Sequence, residues 1–168
     1  MSAAGSRSAH ASSLGLLYEW SDADHEAMND QGINLGKVVY GSIETYGYRT
    51  AAAGPETNWM FFGESRVVMA IAHECDVAAQ PYVFDPIDGR GHLFSKLAKD
   101  LIGICTRYFD MDALYGATPA DAFRVDMGLN TDESAQAGTV IAVVRLKTSK
   151  VAEWVDIPIT KVPLDRAV

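Results

Sequence analysis

The sequence predicts an α+β fold, a small mixed sheet with helices packed on one face and open sheet edges completed by strands from neighbouring subunits. Three observations lead there. Leu93, Leu97, Leu101, Ile104, Cys105 and Tyr108 recur three or four positions apart, the stripe of an amphipathic helix. Phe123-Arg124-Val125-Asp126-Met127 alternates apolar with polar residues, as a half-buried strand does. Two later stretches, 139–146 and 153–159, are rich in Val and Ile. A sheet of about three strands is marginal alone and leaves its edges unpaired, which invites strand addition from another copy.

The elements follow in order. Ser21 or Asp22 caps a short helix over 22–30 with acidic residues in its first turn, and Gly32 ends it. Residues 37–45 read as one strand, with Val38, Tyr40 and Ile43 on one side. Ala51-Ala52-Ala53-Gly54-Pro55 is a loop, closed off by its glycine and proline. A helix spans 62–75, with Val67, Ala70, Ile71 and Glu74 on one stripe. Asp88 caps the long helix, whose outer side carries Arg90, Lys96, Lys99 and Arg107 against a single Asp100. Gly116 offers a left-handed stop, Thr118-Pro119 a cap and first-turn proline, and Ala120 to Ala122 one more turn. Asn130 to Ser134 is a polar turn. The N-terminal 1–20 read as a flexible arm, 21–160 as one domain and 161–168 as a tail.

Composition narrows the function. With 168 residues, 48% hydrophobic and 21% charged, the chain matches a single globular domain. Its apolar runs, such as 67–72, are too short to span a bilayer, and the small polar start lacks the apolar core of a secretory signal. A net charge of −8 argues against nucleic acid, whose phosphates need clustered Lys and Arg. Two cysteines, Cys75 and Cys105, fit a reducing compartment, and their positions alone do not support a disulfide.

No catalytic constellation emerges. His73-Glu74-Cys75-Asp76 comes nearest, yet His73 and Cys75 point to nearly opposite sides of a helix, and no second ligand pair has metal spacing. Cys105 sits on the apolar stripe, where it reads as a small core residue rather than a nucleophile. Asp85, Asp88, Asp110 and Asp112 lack the calcium-loop series, and Asp110 and Asp112 read as solvated loop charges. Gly89-Arg90-Gly91 lacks the glycine and lysine of a phosphate loop. The run Trp59-Met60-Phe61-Phe62 reads first as core packing and second as a subunit contact. No cofactor site is read from the sequence.

Several segments carry a resemblance. Met28-Asn29-Asp30-Gln31-Gly32-Ile33-Asn34 leads into Tyr46-Gly47-Tyr48-Arg49-Thr50, then Asn58-Trp59-Met60-Phe61-Phe62, then an Arg-containing helix over 64–74. Tyr82-Val83-Phe84-Asp85-Pro86-Ile87-Asp88 follows, and after the long helix comes Gly116-Ala117-Thr118-Pro119 ahead of Ala122-Phe123 and Val125. In order and spacing, over roughly 22–160, these resemble the C-terminal domain of contractile tail sheath proteins. Ser65-Arg66 departs from that family's adjacent arginine pair, and the chain matches only the last part of a full sheath subunit.

The resemblance implies a structural, non-enzymatic virion protein of a contractile phage tail, assembled in the bacterial host cytoplasm. It would be a sheath subunit or a sheath-like ring at the neck or baseplate, and the chain's shortness points to the ring. Implied partners are further copies of itself, in a ring or helical stack, and a tail tube or tail-terminator protein, with no nucleic acid and no membrane. Arg90, Lys96 and Lys99 would contact the tube or neck. Strand exchange between subunits would use the arm over 2–13 and Trp154, Val155, Ile157, Ile159 and Val162, with Pro158 and Pro163 restricting pairing to one side.

Overall fold

Ser21 opens the first helix, α1 (Asp22–Asp30), through a reciprocal cap: its hydroxyl accepts from the Asp24 amide, and the Asp24 carboxylate accepts from the Ser21 amide. Gly32, just past the end, has φ +80 and lets the chain reverse. This computed structural model describes residue 10 and residues 15–52 and 59–150. The expected strand over 153–159, with Trp154, Val155, Ile157 and Ile159, and Val162 beyond it, lies outside the described residues.

The single strand expected over 37–45 is a hairpin. Strand β1 (Leu35–Val39) pairs antiparallel with β2 (Ser42–Tyr46), Val39 standing opposite Ser42. Tyr40 and Gly41 between them have φ of 47° and 83°, the left-handed pair of a two-residue hairpin turn. An apolar Tyr at the first turn position continued the alternation through the bend and hid it. Beyond β2, Thr50 donates to the Met60 carbonyl (2.7 Å) and Phe62 to that of Tyr48 (3.0 Å), so the two ends of the next loop lie side by side.

Helix α2 (Phe62–Ala79) runs past the expected end at Cys75 and closes in a 3-10 turn, Gln80–Tyr82, where Pro81 cannot supply an amide. It packs on α3 (His92–Asp110), and the two run antiparallel: Tyr82 reaches Asp100, and Glu74 reaches Arg107 and Tyr108. The stripe of α3 is buried as expected at Leu93, Leu97, Leu101 and Cys105. Cys105 joins Ile71, Leu114 and Ala122 at the centre of the core, with Val67, Cys75 and Phe123 packed around them.

The last part begins with α4 (Pro119–Ala122) and β3 (Phe123–Asp126), followed by α5 (Asp132–Gln136) and β4 (Val143–Leu146). Strands β3 and β4 are antiparallel, Phe123 facing Leu146. Most of the polar turn expected at 130–134 is helical: α5 begins at Asp132, capped reciprocally by Thr131 and Ser134. After β4 the chain runs beside 113–115, with Tyr115 donating to the Lys147 carbonyl (2.8 Å) and Ser149 to that of Ala113 (3.1 Å).

Gly116 does not act as a left-handed stop. Asp112, with φ 58°, takes that conformation just after α3, whereas a Cβ on Gly116 would lie 2.8 Å from the Ala122 amide nitrogen. The α+β class holds. Among the described residues the strands form two separate antiparallel pairs rather than one mixed sheet.

Candidate functional site

The outer face of α3 is exposed among the described residues. Its buried stripe is committed to α2, α4 and β3, so residues on the opposite side face solvent. Lys96 and Lys99, three apart, lie on that side and are exposed, as is Arg90 in the preceding loop. No ion pair of theirs falls among the described residues. Arg107, grouped with them in the sequence, belongs elsewhere: its guanidinium pairs with Glu74 of α2, whose carboxylate also accepts from the Tyr108 hydroxyl (2.7 Å). Asp100 likewise turns toward α2 and accepts from Tyr82 (2.6 Å), a bond that holds the phenol's pKa above its ordinary value.

Asp88 sets where this face begins. Its carboxylate accepts from the amides of Arg90 (2.9 Å), His92 (3.1 Å) and Leu93 (3.0 Å), so it caps α3 although Gly91 is the first flanking residue. Those bonds, from His92 and Leu93 foremost and then Arg90, lower its pKa to about 2. The same bonds fix the backbone that carries Arg90. Between α2 and α3, Ala78, Pro81, Lys99, Asp100, Gly103, Ile104 and Arg107 line an open groove.

A second candidate surface is the hairpin edge. The amide of His10 donates to the Ile43 carbonyl (2.8 Å), and its ring lies 3.1 Å from the Thr45 hydroxyl. The side of β2 away from β1 is therefore bonded at Ile43 by residue 10 of the same chain. The remaining residues of the expected exchange arm, 2–9 and 11–13, lie outside the described residues, as do those of the C-terminal strand.

The sequence candidates for chemistry stay apart. His73 and Asp76 are exposed on α2, Glu74 is held by Arg107 and Tyr108, and Cys75 turns toward the core. Among the described residues no group of three His, Cys, Asp or Glu side chains could hold a metal, and no helix is long and apolar enough to cross a membrane. The Trp59–Phe62 run is not core: Trp59 and Phe62 are exposed, and the segment serves as backbone framework, its Trp59 carbonyl accepting from Thr50 (2.6 Å) and Ser65 (3.2 Å) hydroxyls.

One constellation was invisible from spacing. The Asn34 amide brackets the backbone of Arg49, donating to its carbonyl (2.7 Å) and accepting from its amide (3.0 Å). Gly47 permits that approach, because a Cβ there would meet Asn34 Oδ1 at 2.5 Å. The Arg49 guanidinium then pairs with Asp30 (2.7 Å). The segments ending at Asn34 and at Thr50 are thus two halves of one joint between α1 and the hairpin.

Solved structures share the fold. The chain is similar to one in the anti-feeding prophage (AFP) baseplate, 6-fold symmetrised, with a TM-score of 0.76 and 20% identity over 86% of this chain and 40% of that one. It is similar to a chain of the PVC sheath complex, an extracellular contractile injection system in its contracted state (TM-score 0.77, 19% identity, 87% and 42% covered). It is similar as well to the AFP helical sheath in its contracted state (TM-score 0.73, 21% identity, 90% and 44% covered). The fold is that of contractile injection system sheath proteins, and the chain spans about two fifths of the length of these relatives. No family model and no curated protein matches the sequence.

Proposed function

We propose that the chain is a structural, non-enzymatic subunit of a contractile tail, a sheath or sheath-like ring protein that self-assembles around a tail tube or neck. The observation that carries this is the likeness to sheath and baseplate chains over 86–90% of its length at TM-scores of 0.73–0.77. Copies related head to tail form a ring when the rotation closes and a helix when it does not. Exchange of the arm or of 154–162 between copies suits such links, each backbone hydrogen bond contributing about 1 kcal/mol net.

On this reading Arg90, Lys96 and Lys99 face an acidic tube or tail-terminator protein. Exposed pairs in high dielectric contribute about 0–1 kcal/mol each, which suits a grip that must release. The assembly is a virion tail or neck, or an injection device of the kind the solved relatives represent. Co-sedimentation with the purified tube tests the contact. The Lys96→Glu/Lys99→Glu double variant keeps the wild-type circular dichroism spectrum and stops pelleting with the tube; unchanged pelleting would remove the α3 face from the contact.

A further inference from the structure

Helices α2 and α3 bring the chain's two cysteines to one level of their interface. The antiparallel register is fixed at two places, by Tyr82 on Asp100 and by Glu74 on Arg107 and Tyr108. Counting between these contacts sets Cys75 opposite residues 106 and 107, so Cys105 is displaced by less than about one turn along the axes. Both side chains turn to the same packing layer. Val67, Ile71 and Cys75 recur every four residues on the inner stripe of α2, and Cys75 packs on the cluster that contains Cys105.

The sulfurs also sense each other electrostatically. Burial, and after it the neighbouring Cys75, pushes the Cys105 thiol up to about 11, while burial raises Cys75. Both are free thiols, Cys105 fully buried and Cys75 only half so.

We propose that Cys75 and Cys105 form an oxidisable dithiol, a disulfide site that bridges α2 to α3 when the protein meets a small-molecule disulfide. Cys75 is the entry point because it is the half-buried residue of the two, while Cys105 is fully buried. The Cys75 thiolate attacks the oxidant, forming a mixed disulfide and releasing one thiolate. Cys105 then attacks the Cys75 sulfur and its proton passes to the departing sulfur, so the second half of the oxidant leaves as a thiol. Two thiols and one disulfide become one protein disulfide and two small thiols. The bridge fastens the helix pair whose outer face carries Lys96 and Lys99, and the proposal stands independently of what that face binds.

The full-length protein, incubated in its native state with 2-hydroxyethyl disulfide, provides the test. The expected product has lost two hydrogen atoms in intact mass, and peptide mapping joins the segments containing Cys75 and Cys105 within one chain. Its thermal midpoint rises by roughly 10 °C, because a loop of about 30 residues is closed, and dithiothreitol reverses the rise. Cys75→Ser abolishes both the mass change and the shift. Persistence of both free thiols, arrest as a mixed disulfide on Cys75, or links between different chains would overturn the proposal.

Discussion

Asp88 links a single carboxylate to the position of a whole helix. Its bonds to the amides of Arg90, His92 and Leu93 stabilise the ionised form. A carboxylate whose folded pKa is depressed contributes stability above its unfolded value, here 3.8, and loses it as pH falls through about 2. Asp88→Ala therefore lowers the thermal midpoint at neutral pH, and the gap to wild type narrows as pH drops from about 4 toward 2 in parallel calorimetric scans. A gap unchanged across that range would refute the capping role. Gly116→Ala forces a Cβ against the Ala122 amide, with backbone on both sides of the contact, and is expected to cost about 1–3 kcal/mol in urea denaturation. Asp88 was legible as a cap because its role is local. Gly116 was legible as important but for another reason, since the close approach comes from α4. Asn34 stands in a segment of the resemblance, but its bonding role was not legible, because its partners lie at Arg49 and only folding brings them together.

The long helix α3 is where sequence and structure agree best. Its apolar spacing fixes which face is buried, so Leu101, 3% exposed, is expected to cost about 2–5 kcal/mol when replaced by Ala, read from the midpoint of urea unfolding. Glu74→Ala, which removes a half-exposed pair with Arg107 and the Tyr108 bond, is expected to cost about 1 kcal/mol or less. A larger loss at Glu74 than at Leu101 would mean that polar bonds rather than the apolar stripe fasten α2 to α3. Elsewhere periodicity misled. The hairpin read as one strand because Tyr40 kept the alternation running, and the aromatic run at 59–62 read as core because composition does not say which side of a loop packs inward. The basic face was only partly legible: spacing grouped Arg107 with Lys96 and Lys99, and only the placement of α2 shows that Arg107 is taken by Glu74.

Assembled, these elements form an α+β unit with an exposed basic helix face among the described residues and a strand edge bonded by residue 10. The order of segments along the chain carried the fold likeness where individual motifs did not, since identity to the solved relatives is only 19–21% while TM-scores reach 0.73–0.77. If Lys96 and Lys99 grip an acidic tube, binding weakens steeply between about 0.1 M and 1 M salt, as the screening length falls from about 10 Å to 3 Å. Binding insensitive to salt would point to an apolar contact instead. Negative-stain electron microscopy of the purified protein, alone and mixed with its tail tube, decides whether the chain assembles at all. Rings or tubes built from many copies are the expected result, closed rings marking a collar and open helical stacks a sheath. A uniform monomer that ignores the tube even at high concentration would contradict the structural role.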